Sequence, residues 1–171
     1  LHPAHRHPQS IPDAMENICV FPGTFDPITL GHVDIIQRAL QLFDRVIVGV
    51  GVNALKQPMF SIEQRINWIK AVFANEPRVE AEAYEGLTVA FCRKKHARFI
   101  LRGIRYVSDF EYEKSIADMN RALAPEIETV FLTSTAAYAT TASTLIRDVI
   151  RNGGDISAFV PEVVYRSLQA G

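Results

Sequence analysis

Four stretches of this 171-residue chain combine residue types and spacings suited to handling phosphate. The first is "FPGTFDPITLGH", Phe21 to His32, which follows an apolar run. Gly23 and Gly31 let the backbone approach a ligand closely, Thr24 and Thr29 supply hydroxyls, and Gly31-His32 begins a helix. A helix start presents unpaired N–H groups and the positive end of the dipole, which suit an anion. His32 there can donate a hydrogen bond to a phosphate oxygen. The bland alternative is that Pro22 and Pro27 shape a turn and His32 merely caps the helix, but glycines, hydroxyls and His converge. Asp26, standing before Pro27, reads as a turn-shaping residue. The second stretch, "NALKQPMF", offers Lys56 as its one cation, which by itself is an ordinary solvated side chain. In the third, "RGIRYVSDFEYE", Arg102 ends an apolar run and Arg105 follows past a glycine. Arginine at the end of a buried strand must meet an anion. That anion is either a ligand or a structural partner among Asp109, Glu111 and Glu113. Asp109 and Glu113 lie one helical turn apart on a shared face. The fourth, "TSTAAYATTASTLIRD", is dense in hydroxyls. It is either a polar loop or, with Ser143-Thr144 at a helix start and Arg147 four residues past Ser143, a second phosphate cradle.

These groups include no evident nucleophile. GxxxxGK[ST] and GxSxG are missing, and no GxGxxG follows the first apolar run, which sets aside P-loop, serine-hydrolase and ordinary dinucleotide-binding chemistry. Catalysis by positioning and charge stabilisation suits transfer at phosphorus. The reaction expected is direct, in-line attack of a phosphate or hydroxyl on a nucleoside triphosphate, with pyrophosphate leaving. The carboxylates do not cluster as a metal cage requires, so Mg²⁺ is expected to arrive on the nucleotide's phosphates and no protein metal site is expected.

The elements that must hold these groups alternate along the chain. Apolar, β-branched runs over Asn17–Phe21, Arg45–Val52, Arg78–Tyr84, Arg98–Arg102 and Glu128–Leu132 predict strands. Helical spacing covers His32–Phe43, Ser61–Ala74, Leu87–His96, Asp109–Leu123, Ser143–Gly153 and Pro161–Gln169, with a capping box expected at Ser61 and Gln64. Strands alternating with helices give βαβ units, hence a single doubly wound, Rossmann-like α/β domain with a five-stranded parallel sheet. Ligands of such sheets bind beyond the carboxyl ends of the strands, where all four stretches fall.

Bulk properties agree. The chain is 48% hydrophobic and 22% charged with a formal net charge of −1, giving no long-range attraction to nucleic acid or membrane. No apolar run approaches a membrane span. Two distant cysteines, Cys19 and Cys92, read as buried free thiols of a cytoplasmic protein. Residues 1–14, rich in Pro and His, are expected to be a disordered or vector-derived leader before Met15, with residues 15–171 forming the domain.

"GTFDPITLGH" with "STLIR" resembles the nucleotidylyltransferase superfamily and its HxGH and (I)SSTxxR-like motifs. "PGTFDPIT", "KQPMF", "RGIR", "DFEYE" and "MNRALAPEIETVFL" are similar to the bacterial phosphopantetheine adenylyltransferase family, from about Asn17 to the C-terminus. Thr29 stands where most of the superfamily has the first His. The resemblance implies transfer of the adenylyl group of ATP to 4′-phosphopantetheine, giving dephospho-CoA and pyrophosphate. It implies His32, Lys56 and Arg105 as catalytic residues, His32 acting on the transferring α-phosphate. Thr24 would contact both substrates, Lys56 and Arg102 would hold the pantetheine phosphate, and Thr88 would lie along the pantetheine arm. ATP would be held by Phe25, Gly103, Ile104, Arg105, Glu113 and the segment Tyr138, Ala139, Thr140, Thr141, Ala142, Ser143 and Thr144. Mg²⁺ carried with ATP, a homohexamer and feedback inhibition by coenzyme A are implied as well. The chain departs from the family pattern at Thr141-Ala142 and at Thr88. Rival readings are a superfamily member with another acceptor, such as nicotinamide mononucleotide or glycerol 3-phosphate, and a non-catalytic nucleotide-binding domain.

Overall fold

A computed structural model describes residues 15–53, 57–139 and 141–170. Positions 1–14, Lys56 and Thr140 lie outside the described residues, so the leader and those two site residues are left as expectations. The elements are β1 (Ile18–Gly23), α1 (Leu30–Ala39), β2 (Arg45–Gly51), α2 (Ile62–Val72), β3 (Val79–Tyr84), α3 (Thr88–Lys94), β4 (Phe99–Ile104), α4 (Val107–Leu123), β5 (Glu128–Thr133), a 3₁₀ turn (Ala136–Tyr138), α5 (Ser143–Arg151) and α6 (Glu162–Gln169). The strands form one parallel sheet in the order β3-β2-β1-β4-β5, as the alternation requires.

Side chains along each strand point alternately to the two faces. Cys19, Phe21, Val46, Val48, Val50 and Leu101 join Ile35 and Ile36 of α1, Trp68 and Ile69 of α2, Ile146 of α5 and Val164 of α6 in the larger core. Ile18, Val20, Ile47 and Ile100 pack with Val89, Phe91 and Cys92 of α3 in the smaller. Both cysteines are free and buried, and burial pushes each thiol up to about 12. α4 differs from the other long helices: its one buried residue is Glu113.

β1 and β4 continue to Gly23 and Ile104, past the points where their apolar runs stop. Pairing with β2 and β5 carries them on, Gly23 facing Val50 and Ile104 facing Thr133. Of the capping box expected on α2, the Ser61 side forms, its hydroxyl accepting from Gln64 N–H.

Candidate active site

The sheet order reverses direction between β1 and β4, and there the two strands part. β1 pairs with β2 over six positions, but with β4 only at Cys19–Phe99 and Val20–Ile100. Beyond Val20 the gap is bridged by a side chain: Arg102 Nη1 donates to the Pro22 carbonyl at 2.8 Å. A cavity of about 680 Å³ opens over this split, walled by the β1–α1 loop and the N-terminal ends of α1 and α5. A second, of about 490 Å³, is lined by Tyr84, Thr88, Glu113 and Asn120. Thr24 and Arg102 line both.

His32 sits at the mouth of α1 as the third helical residue. The Thr29 hydroxyl accepts from His32 N–H (3.2 Å), and His32 Nδ1 accepts from Thr29 N–H (3.0 Å). This reciprocal pair is a capping box with His in the place usually held by Glu or Gln. A ring nitrogen that accepts an N–H carries no proton, so the neutral ring keeps its proton on Nε2, as a donor. Burial, with the nearby charges of Arg102 and Arg105, pushes the His32 pKa down to about 4, so the ring is neutral near pH 7. The Phe25 ring meets it edge-on at 4.7 Å. Phe25 takes a left-handed backbone (φ 48°), and Gly23 makes room, since a Cβ there would lie 2.9 Å from the Phe25 ring. The cap therefore occupies one ring nitrogen of His32 and leaves the other protonated, while His32 lines the larger cavity.

Arg102 has a structural partner at the edge of the cavities. Its guanidinium grips Glu113 through two parallel bonds of 2.8 and 2.6 Å, while lining both cavities. Glu113 is the residue that draws α4 toward the seam. Arg105 is steadied by Asp109, whose Oδ2 accepts from the Arg105 and Tyr106 N–H groups at 3.1 and 3.2 Å and lies 3.5 Å from Arg105 Nε.

The second cradle is tied to the first. Ser143 Oγ donates to the Pro27 carbonyl (3.0 Å), and Arg147 donates to the Asp26 carbonyl (2.8 Å) and to Thr144 Oγ1 (3.2 Å). The α5 N-cap is Ala142, which has no side-chain acceptor for the first N–H groups. Gly31 permits the close approach, for a Cβ there would lie 2.5 Å from Thr141 Oγ1. Thr141 itself is buried and donates to the Tyr138 carbonyl.

The first cavity thus gathers Thr24, Phe25, His32, Arg102, Gly103 and Arg105 with Tyr138 and Thr141 to Thr144. Thr88 and Glu113 line the second. Among the described residues, Ile104 and Ala139 are in neither lining: Ile104 ends β4, and Ala139 follows the 3₁₀ turn. Sequence reasoning missed Arg65, and it took Asp26 for a turn residue only. Asp26 is 2% exposed, and its two carboxylate oxygens accept from Met59 and Phe60 N–H at 2.8 and 2.9 Å. Arg65 is 4% exposed and donates to the Thr24 carbonyl at 2.8 Å. A signal was available, because Arg65 shares the buried stripe of α2 with Trp68 and Ile69 at helical spacing.

The cytidylyltransferase-like family matches residues 20–149. Phosphopantetheine adenylyltransferase of Flavobacterium psychrophilum is 54% identical over 145 residues, covering 85% of this chain and 95% of the relative. Those of Desulforudis audaxviator and Coxiella burnetii are 49% and 48% identical, over 89% and 91% of this chain and 93% and 97% of theirs. Among solved structures, a bifunctional NMN adenylyltransferase/ADP ribose pyrophosphatase from Francisella tularensis superposes with a TM-score of 0.65 at 24% identity. That match covers 85% of this chain but 45% of the other, and it establishes the fold alone. On the family match and these relatives, the chain belongs to the phosphopantetheine adenylyltransferases of the cytidylyltransferase-like family.

Proposed function

We propose that this protein transfers the adenylyl group of ATP to 4′-phosphopantetheine, releasing pyrophosphate and forming dephospho-CoA. The observation that carries the reading is the pair of cavities meeting at the parted β1–β4 seam, with Thr24 and Arg102 common to both. Two substrates bound one per cavity would meet there, which lowers the barrier by orientation. ATP takes the larger cavity, with its phosphates toward the N-termini of α1 and α5. The acceptor's arm takes the smaller, along Thr88 and Asn120.

An oxygen of the acceptor phosphate attacks the α-phosphorus, the new P–O bond forms as the bond to the β-phosphate oxygen breaks, and pyrophosphate leaves. Negative charge grows on the equatorial oxygens and on the leaving group. His32 Nε2–H donates to an α-phosphate oxygen without changing protonation state, its ring fixed by the Thr29 cap. Arg105 and Arg102 add positive charge, and Lys56 completes the acceptor phosphate site. Magnesium is read as ATP's own companion. Among the described residues, no group of three or more metal-ligating side chains occurs, and the nearby carboxylates are engaged: Asp26 by amides, Glu113 by Arg102 and Asp109 by amides.

The cytoplasm, coenzyme A as a product-like inhibitor, and a homohexamer complete the reading. Assembly is supported by large apolar side chains exposed on α4, including Val107, Phe110, Tyr112 and Met119. No helix of the described residues is long and apolar enough to cross a membrane. Pyrophosphate release with separate acceptors tests the reaction: turnover is expected with 4′-phosphopantetheine but not with nicotinamide mononucleotide or glycerol 3-phosphate. The opposite pattern overturns it. Light scattering at the mass of one chain overturns the hexamer.

A further inference from the structure

The loops after β1 and β2 are tied together by two reciprocal contacts at their bases. From the β1 side, the Asp26 carboxylate accepts the N–H groups of Met59 and Phe60. From the β2 side, Arg65 of α2 donates Nε to the Phe60 carbonyl (3.0 Å) and the Ser61 carbonyl (3.4 Å), and Nη1 to the Thr24 carbonyl (2.8 Å). Both side chains are almost wholly buried. Burial pulls the Arg65 pKa down and the Asp26 charge opposes that pull. Through Nε and Nη1 the buried guanidinium holds three backbone carbonyls, and Arg65 itself lines the larger cavity. It fixes backbone, and one of the residues it fixes, Thr24, lines both cavities.

We infer that Arg65 is a positioning residue for adenylyl transfer, holding Thr24 at the junction of the two cavities and keeping the β1 and β2 loops in register across it. The inference rests on the reaction proposed above. A planar, five-donor guanidinium can serve three carbonyls in divergent directions, and an ammonium at the end of a lysine stem lacks that fork. Misplacement by about 1 Å of a group that orients substrates can cost about a hundredfold in rate. Loss of the fork should therefore act on kcat more than on ATP binding.

The experiment compares wild type, Arg65→Lys and Arg65→Ala by steady-state kinetics for both substrates, by thermal melting, and with added guanidinium. Arg65→Lys is expected to stay folded, with kcat about tenfold to a hundredfold lower and KM for ATP within about threefold of wild type. Millimolar guanidinium is expected to raise kcat of Arg65→Ala while leaving wild type unchanged. Folded Arg65→Lys with wild-type kcat overturns the inference while the reaction stands. So does an Arg65→Ala protein whose loss of activity follows its unfolded fraction alone and is not restored by guanidinium. Absence of wild-type turnover with 4′-phosphopantetheine overturns the reaction, and the inference with it.

Discussion

The two nitrogens of His32 can be separated by substitution. His32→Ala removes both the Nδ1 acceptor, which closes the α1 capping box, and the Nε2–H donor proposed to meet the α-phosphate. Loss of a cap of this kind costs about 1 kcal/mol, which for a chain of this size lowers Tm by about 2–4 °C. Loss of a donor aimed at charge that develops in the transition state costs more, about 2.7 kcal/mol or a hundredfold in kcat. His32→Asn divides the effects, because its amide oxygen can take the place of Nδ1 while nothing reaches the place of Nε2. Melting curves and kcat for the three proteins make the comparison. His32→Ala should lose both stability and kcat; His32→Asn should regain most of the stability but remain at least about a hundredfold slow. An Asn variant with near-normal kcat would refute the donor role and leave His32 a helix cap.

Three further outcomes follow from the same geometry. Gly31→Ala places a methyl 2.5 Å from Thr141 Oγ1; it should raise KM for ATP about tenfold, and Gly31→Ala/Thr141→Ala should restore it, as initial-rate assays would show. Arg102→Met leaves Glu113, 9% exposed, without its partner; a loss of about 2–3 kcal/mol is expected in urea melts, largely recovered in Arg102→Met/Glu113→Gln, whereas turnover should stay low in both. Since the folded His32 pKa, about 4, lies below its ordinary 6.5, the unfolded chain binds more protons between those values. The His32 contribution to stability should be whole above pH 6.5 and disappear as pH falls toward 4. The difference between wild type and His32→Asn in pH-dependent melting should show that sign, with no His32 ionisation near 6.5 in the kcat/KM profile.

The parts of this protein legible in its sequence are those governed by short-range pattern. Period-two and period-3.6 apolar spacing locate the strands and helices, because burial on one or both faces of a sheet constrains residue type locally. Element ends were less legible, since β1 runs on through Pro22-Gly23 by pairing with β2, a partner some 27 residues away. α4 begins at Val107 rather than Asp109 because Asp109 reaches back as its third residue to accept the Tyr106 N–H. At the site, glycines, hydroxyls and His32 pointed to the cleft, but their division of labour did not appear. That Arg102 is both paired with Glu113 and placed at the seam depends on where α4 lies over the sheet. The place of Arg65 on the buried stripe of α2 was legible, but what it and Asp26 hold was not, because each acts on backbone from a distant segment and backbone partners leave no mark in residue type.

The acceptor is the central claim, and labelled product identifies it most directly. ATP carrying label at the α-phosphorus would be incubated with the enzyme and an equimolar mixture of 4′-phosphopantetheine, nicotinamide mononucleotide and glycerol 3-phosphate. The geometry of the two cavities predicts label in dephospho-CoA, with one unlabelled pyrophosphate for each. Label in NAD or ADP-glycerol, or none transferred while 4′-phosphopantetheine is present, would contradict it.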